Sequence, residues 1–143
     1  MTIMRRVIGL DVGNRRIGIS ISDPLGITAQ WLTVLERTSP ARDLAVVAEL
    51  AQERDVQAVV VGLPITMQGD VGEQAKKVME FVEALRAKVT CPVHVVDERL
   101  TTVQSERALL ATDTPRKTRK RLIDQLAAQL ILQHYLDVTH QRV

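Results

Sequence analysis

The 143-residue chain has one cysteine, Cys91, and three aromatic side chains, Trp31, Phe81 and Tyr135. A single thiol excludes an internal disulfide framework and a cysteine-built metal site. Cys91 reads as a small buried hydrophobe. So few rings exclude a base-stacking platform, so any nucleic acid must be held mainly through its phosphates. No stretch approaches the roughly 20 consecutive apolar residues of a membrane span. The opening apolar run is short and is stopped by Asp11, which does not suit a signal peptide. A reducing cytoplasm is the expected location, with no membrane partner.

What is present suits one globular domain over residues 1–143. A chain of this length buries roughly 70% of its unfolded surface without staples. Its 45% hydrophobic and 25% charged content is ordinary for such a domain. The charge is unevenly placed. Residues 1–98 carry net −2, residues 99–121 net +5 and residues 122–143 net −1. A concentrated basic segment suits a phosphate backbone, although such runs also occur as solvated faces.

The pattern starts with period two. Residues 6–12 and 16–22 alternate, placing Ile8, Leu10 and Val12 on one face and Val7, Gly9 and Asp11 on the other. Gly13-Asn14-Arg15 reads as a hairpin turn, Ser22 to Gly26 as another, and a third strand is expected over about 30–35. Ser39-Pro40 then opens a helix with the stripe Leu44, Val47, Ala48 and Ala51. The apolar run 57–63 suits a buried parallel strand. Pro64 to Gly72 reads as a loop. Asp70-x-x-Glu73 predicts the cap of a helix carrying Ala75, Val78, Met79, Val82 and Leu85. A short strand over 93–97 follows. Thr101-x-x-Gln104 predicts a helix to about Ala111, then a basic loop over 112–118, then a helix over about 119–138. Three antiparallel strands followed by two parallel ones imply a mixed five-stranded α/β sheet with helices on both faces, the first strand central beside the fourth.

Phosphodiester hydrolysis at neutral pH needs charge stabilisation and an activated water, which carboxylate-held hard cations supply. Acids remote in sequence must therefore converge. Asp11 ends the central strand on the side lined by small residues; its other reading is a turn-forming acid before Gly13. Asp97 and Glu98 end the last strand, where open α/β sheets place ligands; they also read as acids at a helix start. With the fourth strand intervening, Asp11 and Glu98 would stand about 9.6 Å apart, two strand spacings. Gly62 could give clearance for the longer Glu98 to lean across. Asp124 borders the apolar stripe of the last helix, near Ala127 and Ala128, and reads as either a salt-bridged surface group or a metal ligand.

Several motifs occur in order along nearly the whole chain. They are Leu10-Asp11-Val12-Gly13, Arg16-Ile17-Gly18-Ile19, Ser22-Asp23, Val61-Gly62-Leu63-Pro64 with Gly69, Asp97-Glu98-Arg99-Leu100-Thr101-Thr102, and Lys117/Lys120 with Asp124, Ala127-Ala128 and Ile131-Leu132-Gln133. Together they resemble the YqgF family, also called RuvX. The resemblance implies a ribonuclease H-like fold related to RuvC-type resolvases. It implies a divalent-metal nuclease using Mg²⁺ or Mn²⁺, with Asp11, Glu98 and Asp124 as catalytic, metal-holding acids. It favours RNA, in maturation of the pre-16S rRNA 5′ end, with branched DNA of Holliday junctions as the alternative. Arg15, Arg16, Arg99, Lys117, Lys120 and Arg121 would hold flanking phosphates, and Asp97 would orient Arg99 or a metal-bound water. A monomer and a homodimer both stay open. Two further readings compete: a binding factor without catalysis, and a nucleotide phosphohydrolase of the actin–hexokinase type, whose first phosphate loop Leu10-Asp11-Val12-Gly13 also resembles.

Overall fold

The computed structural model describes residues 6–66, 68–101 and 115–141, without the side chains of Lys120, Arg121, His140 and Gln141. Three antiparallel strands come first: β1 (Val7–Val12), β2 (Arg16–Ser22) and β3 (Ala29–Glu36). Then follow α1 (Pro40–Glu53), β4 (Ala58–Leu63), α2 (Glu73–Arg86), β5 (Val93–Asp97), a 3-10 turn (Glu98–Leu100) and α3 (Arg116–Gln141). The sheet order is β3-β2-β1-β4-β5, with β1–β4 and β4–β5 parallel. The mixed sheet with a central first strand is the one expected.

Alternation along the strands divides the core. Ile8, Leu10, Ile17 and Ile19 pack against Leu44 and Val47 of α1 and Val78, Val82 and Leu85 of α2. Val7, Ala58, Val60 and Val96, on the opposite face, pack against Ala127, Ile131, Leu132 and Leu136 of α3. β1 is buried along its whole length because helices cover both of its faces. Each fully buried aliphatic side chain stabilises by roughly 1.5–3 kcal/mol, so both layers are needed to hold the sheet.

The start of α1 follows its sequence signal. Ser39 is the N-cap and accepts from the Arg42 N–H at 3.3 Å, with Pro40 beginning the helix. The start of α2 does not. Gly72 is its N-cap and no side chain caps it. Asp70 is instead tied into a turn with Thr66, whose N–H donates to the Asp70 carbonyl at 3.1 Å and whose Oγ1 accepts from the Asp70 N–H at 3.0 Å. α3 also departs from expectation. It begins at Arg116, so residues 116–118 are helix where a loop was predicted, and it continues to Gln141. The Pro115 carbonyl accepts from the Arg119 N–H at 2.8 Å and starts the turn. Lys and Arg are good helix formers, so a basic stretch after a proline extends the helix. The helix predicted from Thr101 to Ala111 lies outside the described residues beyond Thr101. Thr101 itself closes the 3-10 turn, its N–H and Oγ1 both donating to the Glu98 carbonyl.

Candidate active site

Asp11 is the penultimate residue of the central strand. Alternation with Val7 and Gly9 puts its side chain on the α3 face. Its antiparallel partner on β2 is Gly18. On β4 the parallel register runs Gly9↔Val60 and Leu10↔Val61, so Gly62 comes next, beside Asp11. One acid is thus flanked by two glycines in a row across three strands.

Each glycine makes room for a specific neighbour. A Cβ on Gly18 would stand 2.5 Å from the backbone carbonyl oxygen of Asp124. A Cβ on Gly62 would collide with Cδ1 of Ile131 and lie 3.2 Å from Oε1 of Glu98. Gly18 faces a backbone atom that cannot give way and so requires glycine, while a side chain at Gly62 would have to displace the Ile131 tip and crowd Glu98. The next row repeats the device. A Cβ on Gly9 would meet Leu132 Cβ at 2.7 Å, and Ser20 Oγ donates to the Ala128 carbonyl at 2.7 Å. Small residues and one buried hydroxyl thereby seat α3 directly on β1 and β2.

Glu98 reaches this row from β5. The 3-10 turn redirects the chain after Asp97, and the Glu98 side chain is almost wholly buried, at 1% exposure. Its carboxylate lies over Gly62, on the intervening strand. The two-spacing separation expected between the strands is therefore bridged by side-chain reach as far as Gly62, the β4 residue beside Asp11. Asp97, next in sequence, is engaged elsewhere. It accepts from the Arg99 backbone N–H at 2.9 Å, from Nε at 3.1 Å and from Nη2 at 2.6 Å. The Arg99 guanidinium holds the Asp97 carboxyl below the ordinary carboxylate range. Asp97 thus orients Arg99, and of the two adjacent acids Glu98 turns toward Asp11.

Asp124 sits on α3 with its backbone above Gly18. Its Oδ2 lies 3.9 Å from Arg16 Nη1, and the side chain is partly exposed. Arg16 is also bonded to Glu36 across β2 and β3, Nε to Oε1 at 2.8 Å. That hydrogen bond raises the Arg16 pKa above its ordinary value. Arg15 is exposed in the β1–β2 turn and Lys117 is exposed on the first turn of α3. The side chains of Lys120 and Arg121 lie outside the described residues.

Among the described residues no three His, Cys, Asp or Glu side chains are already gathered as an ion cage. The donor chemistry nevertheless fits a hard cation. Asp11 and Glu98, 9% and 1% exposed, are buried oxygen donors, Glu98 lying over the Gly62 that stands beside Asp11. Each carboxylate brings two oxygens of the kind a hard cation takes. Asp124 is the more exposed of the three acids, and its carboxylate faces Arg16.

The sequence did not point to Arg37 and Asp43. Asp43, in the first turn of α1, is 1% exposed and accepts from Arg37 Nε at 3.1 Å and from the Thr38 N–H at 3.2 Å. Arg37 Nη1 donates to the Gly13 carbonyl at 2.9 Å, two residues past Asp11. A first-turn acid is a common helix feature, so Asp43 carried no distinguishing signal.

Residues 5–138 match the sequence model of RuvX, described as a Holliday junction resolvase. The chain is 52% identical over 132 residues to a Moorella thermoacetica protein named "Putative pre-16S rRNA nuclease", covering 92% of this chain and 94% of that one. A Clostridium novyi protein of the same name is 47% identical, with 92% and 98% covered. Among solved structures, Thermus thermophilus RuvC in complex with Holliday junction substrate is similar, with TM-score 0.60, 18% identity and 96% of each chain covered. That likeness is one of fold, ribonuclease H-like, as expected.

Proposed function

This chain belongs to the RuvX family, and from that premise we propose that it is a metal-dependent nuclease that hydrolyses RNA phosphodiester bonds, processing the 5′ end of pre-16S rRNA. The observation that carries the reading is the Glu98 carboxylate lying over Gly62, next to Asp11. Neighbouring buried acids on a nucleic-acid-cutting fold have a cation as their natural complement. Relatives named for pre-16S rRNA at 52% and 47% identity favour RNA as the substrate. The family description favours a second reading, cleavage of junction DNA, which would use two such sites related by a two-fold axis.

In the proposed mechanism, Asp11, Glu98 and Asp124 would hold Mg²⁺ or Mn²⁺. When bound, the cation stabilises charge on the scissile phosphate and lowers the pKa of water. Asp11 is fixed from within β1 and Glu98 from the 3-10 turn that directly follows β5. Asp124 sits eight residues into α3, so about 12 Å of helix extends beyond it at 1.5 Å per residue. Lys117 on that extension and Arg15 on the β1–β2 turn take phosphates flanking the cut, joined by Lys120 and Arg121. Arg99, steered by Asp97, and Arg16, steered by Glu36, take phosphates nearer the acids. Residues 1–143 act as one domain in the cytoplasm; among the described residues no helix is long and apolar enough to cross a membrane.

A matched panel of 5′-extended 16S precursor RNA, single-stranded DNA and four-way junction DNA with Mn²⁺ tests the reading. Metal-dependent cleavage of the precursor RNA is expected. Cleavage confined to the junction selects the second reading, and no turnover on any substrate rejects both.

A further inference from the structure

The catalytic end of β1 is held from the opposite side of the sheet by groups with no place in the chemistry above. Arg37 is partly buried, with its guanidinium carbon 5.6 Å from the centre of the Phe81 ring. One edge of its fork engages the buried Asp43, Nε to Oδ2 at 3.1 Å. Nη1 donates to the Gly13 carbonyl at 2.9 Å. The preceding carbonyl, Val12, accepts from Gln74 Nε2 in the first turn of α2 at 3.3 Å. The loop backbone is closed by Gly13 N–H to the Arg16 carbonyl and by Arg37 N–H to the Arg15 carbonyl, both at 2.8 Å. The two carbonyls that follow Asp11 are therefore each fixed by a side chain from outside the strand.

Arginine suits this set of contacts, because its planar fork serves a carboxylate and a carbonyl from different nitrogens while its face lies on an aromatic ring. A lysine has a single nitrogen and none of this fixed fork geometry. We infer that Arg37, anchored by Asp43 and seconded by Gln74, is a positioning residue that sets the direction of the Asp11 carboxylate and so the affinity of the metal site. The inference rests on the proposed metal site. It reaches that site only through backbone, because Arg37 and Asp43 lie toward α1 and α2 while Asp11 faces α3. An ion pair with one buried partner is by itself weak evidence for stability.

The test uses the full chain and Mn²⁺ alone, titrated by electron paramagnetic resonance, beside cleavage kinetics. In Arg37→Lys the Mn²⁺ dissociation constant is expected to rise about 10-fold, the size of effect seen when groups that orient metal ligands are removed. Turnover should fall at limiting Mn²⁺ and recover as Mn²⁺ is raised, with KM for nucleic acid at the wild-type value, whereas a loss of folded protein would lower turnover at every Mn²⁺ concentration. Gln74→Ala should move Mn²⁺ affinity the same way by less. A folded Arg37→Lys protein with wild-type Mn²⁺ affinity overturns the inference. If Arg37→Lys does not fold, Gln74→Ala decides, and unchanged affinity there overturns it. Wild-type protein that takes up no Mn²⁺ overturns the metal reading and this inference together. Wild-type uptake with unaltered variants overturns this inference alone.

Discussion

The two faces of the sheet are built on opposite principles. The face under α1 and α2 is filled by volume: Ile8, Leu10, Ile17 and Ile19 interlock with Val47, Val78, Val82 and Leu85. The face under α3 is built by clearance: Gly9, Gly18 and Gly62 are places where a single added carbon has no room. Volume gives stability, as core packing does generally. Clearance gives proximity, bringing the α3 backbone onto β1 and β2 and a carboxylate onto β4, the strands that surround Asp11. The same strand serves both purposes because its side chains alternate.

Substitutions that treat the two faces differently sharpen this contrast. The largest effect is expected at the acid. Asp11→Asn should abolish metal-dependent cleavage while nucleic-acid binding persists or strengthens, since one negative charge near phosphate is gone; a cleavage assay paired with a binding titration reads both. Next comes a matched pair. Gly62→Ala adds one carbon to the tight face and should destabilise by about 1–3 kcal/mol while also weakening Mn²⁺ binding, because Glu98 is displaced. Ile19→Val removes one carbon from the filled face and should cost about 0.5–1.5 kcal/mol with cleavage intact. Denaturant unfolding and Mn²⁺ titration of both proteins would break the contrast if the two variants behaved alike. Replacing Arg15 and Lys117 together with Ala should lower the salt slope of nucleic-acid binding by about 2 units without affecting stability.

The smallest effect concerns Asp97 and Arg99. The folded-state pKa of Asp97 lies below its unfolded value, chiefly because Arg99 hydrogen-bonds the carboxylate. The pair therefore contributes stability above the unfolded pKa and loses it as pH falls through the folded one. Wild type should exceed Asp97→Asn in stability near neutral pH, and the gap should close in acid. A gap constant across that range would contradict the assignment.

Much of this architecture was legible in the sequence because it rests on periodicity. Alternation gave the strands, their burial and the face on which Asp11 points. Gly62 was readable as clearance because a glycine interrupts an otherwise β-branched run beside two acids. What was not legible depends on through-space partners. Asp70 looked like a cap, but Thr66 holds it two residues short of the helix. Residues 116–118 looked like loop because proline and charge mark both loops and helix starts. Arg37 and Asp43 were invisible because the Gly13 carbonyl that unites them with the site is a backbone group, and no side-chain pattern reports it.

The central claim is that Glu98 crosses β4 over Gly62 to share a cation with Asp11. Crystals soaked in Mn²⁺ and measured at the manganese edge test it directly. The account predicts an anomalous peak on the α3 face above the Asp11–Gly62 row, in contact with both carboxylates. Protein that cleaves in Mn²⁺ yet shows its only peak away from Asp11 and Glu98 would contradict it.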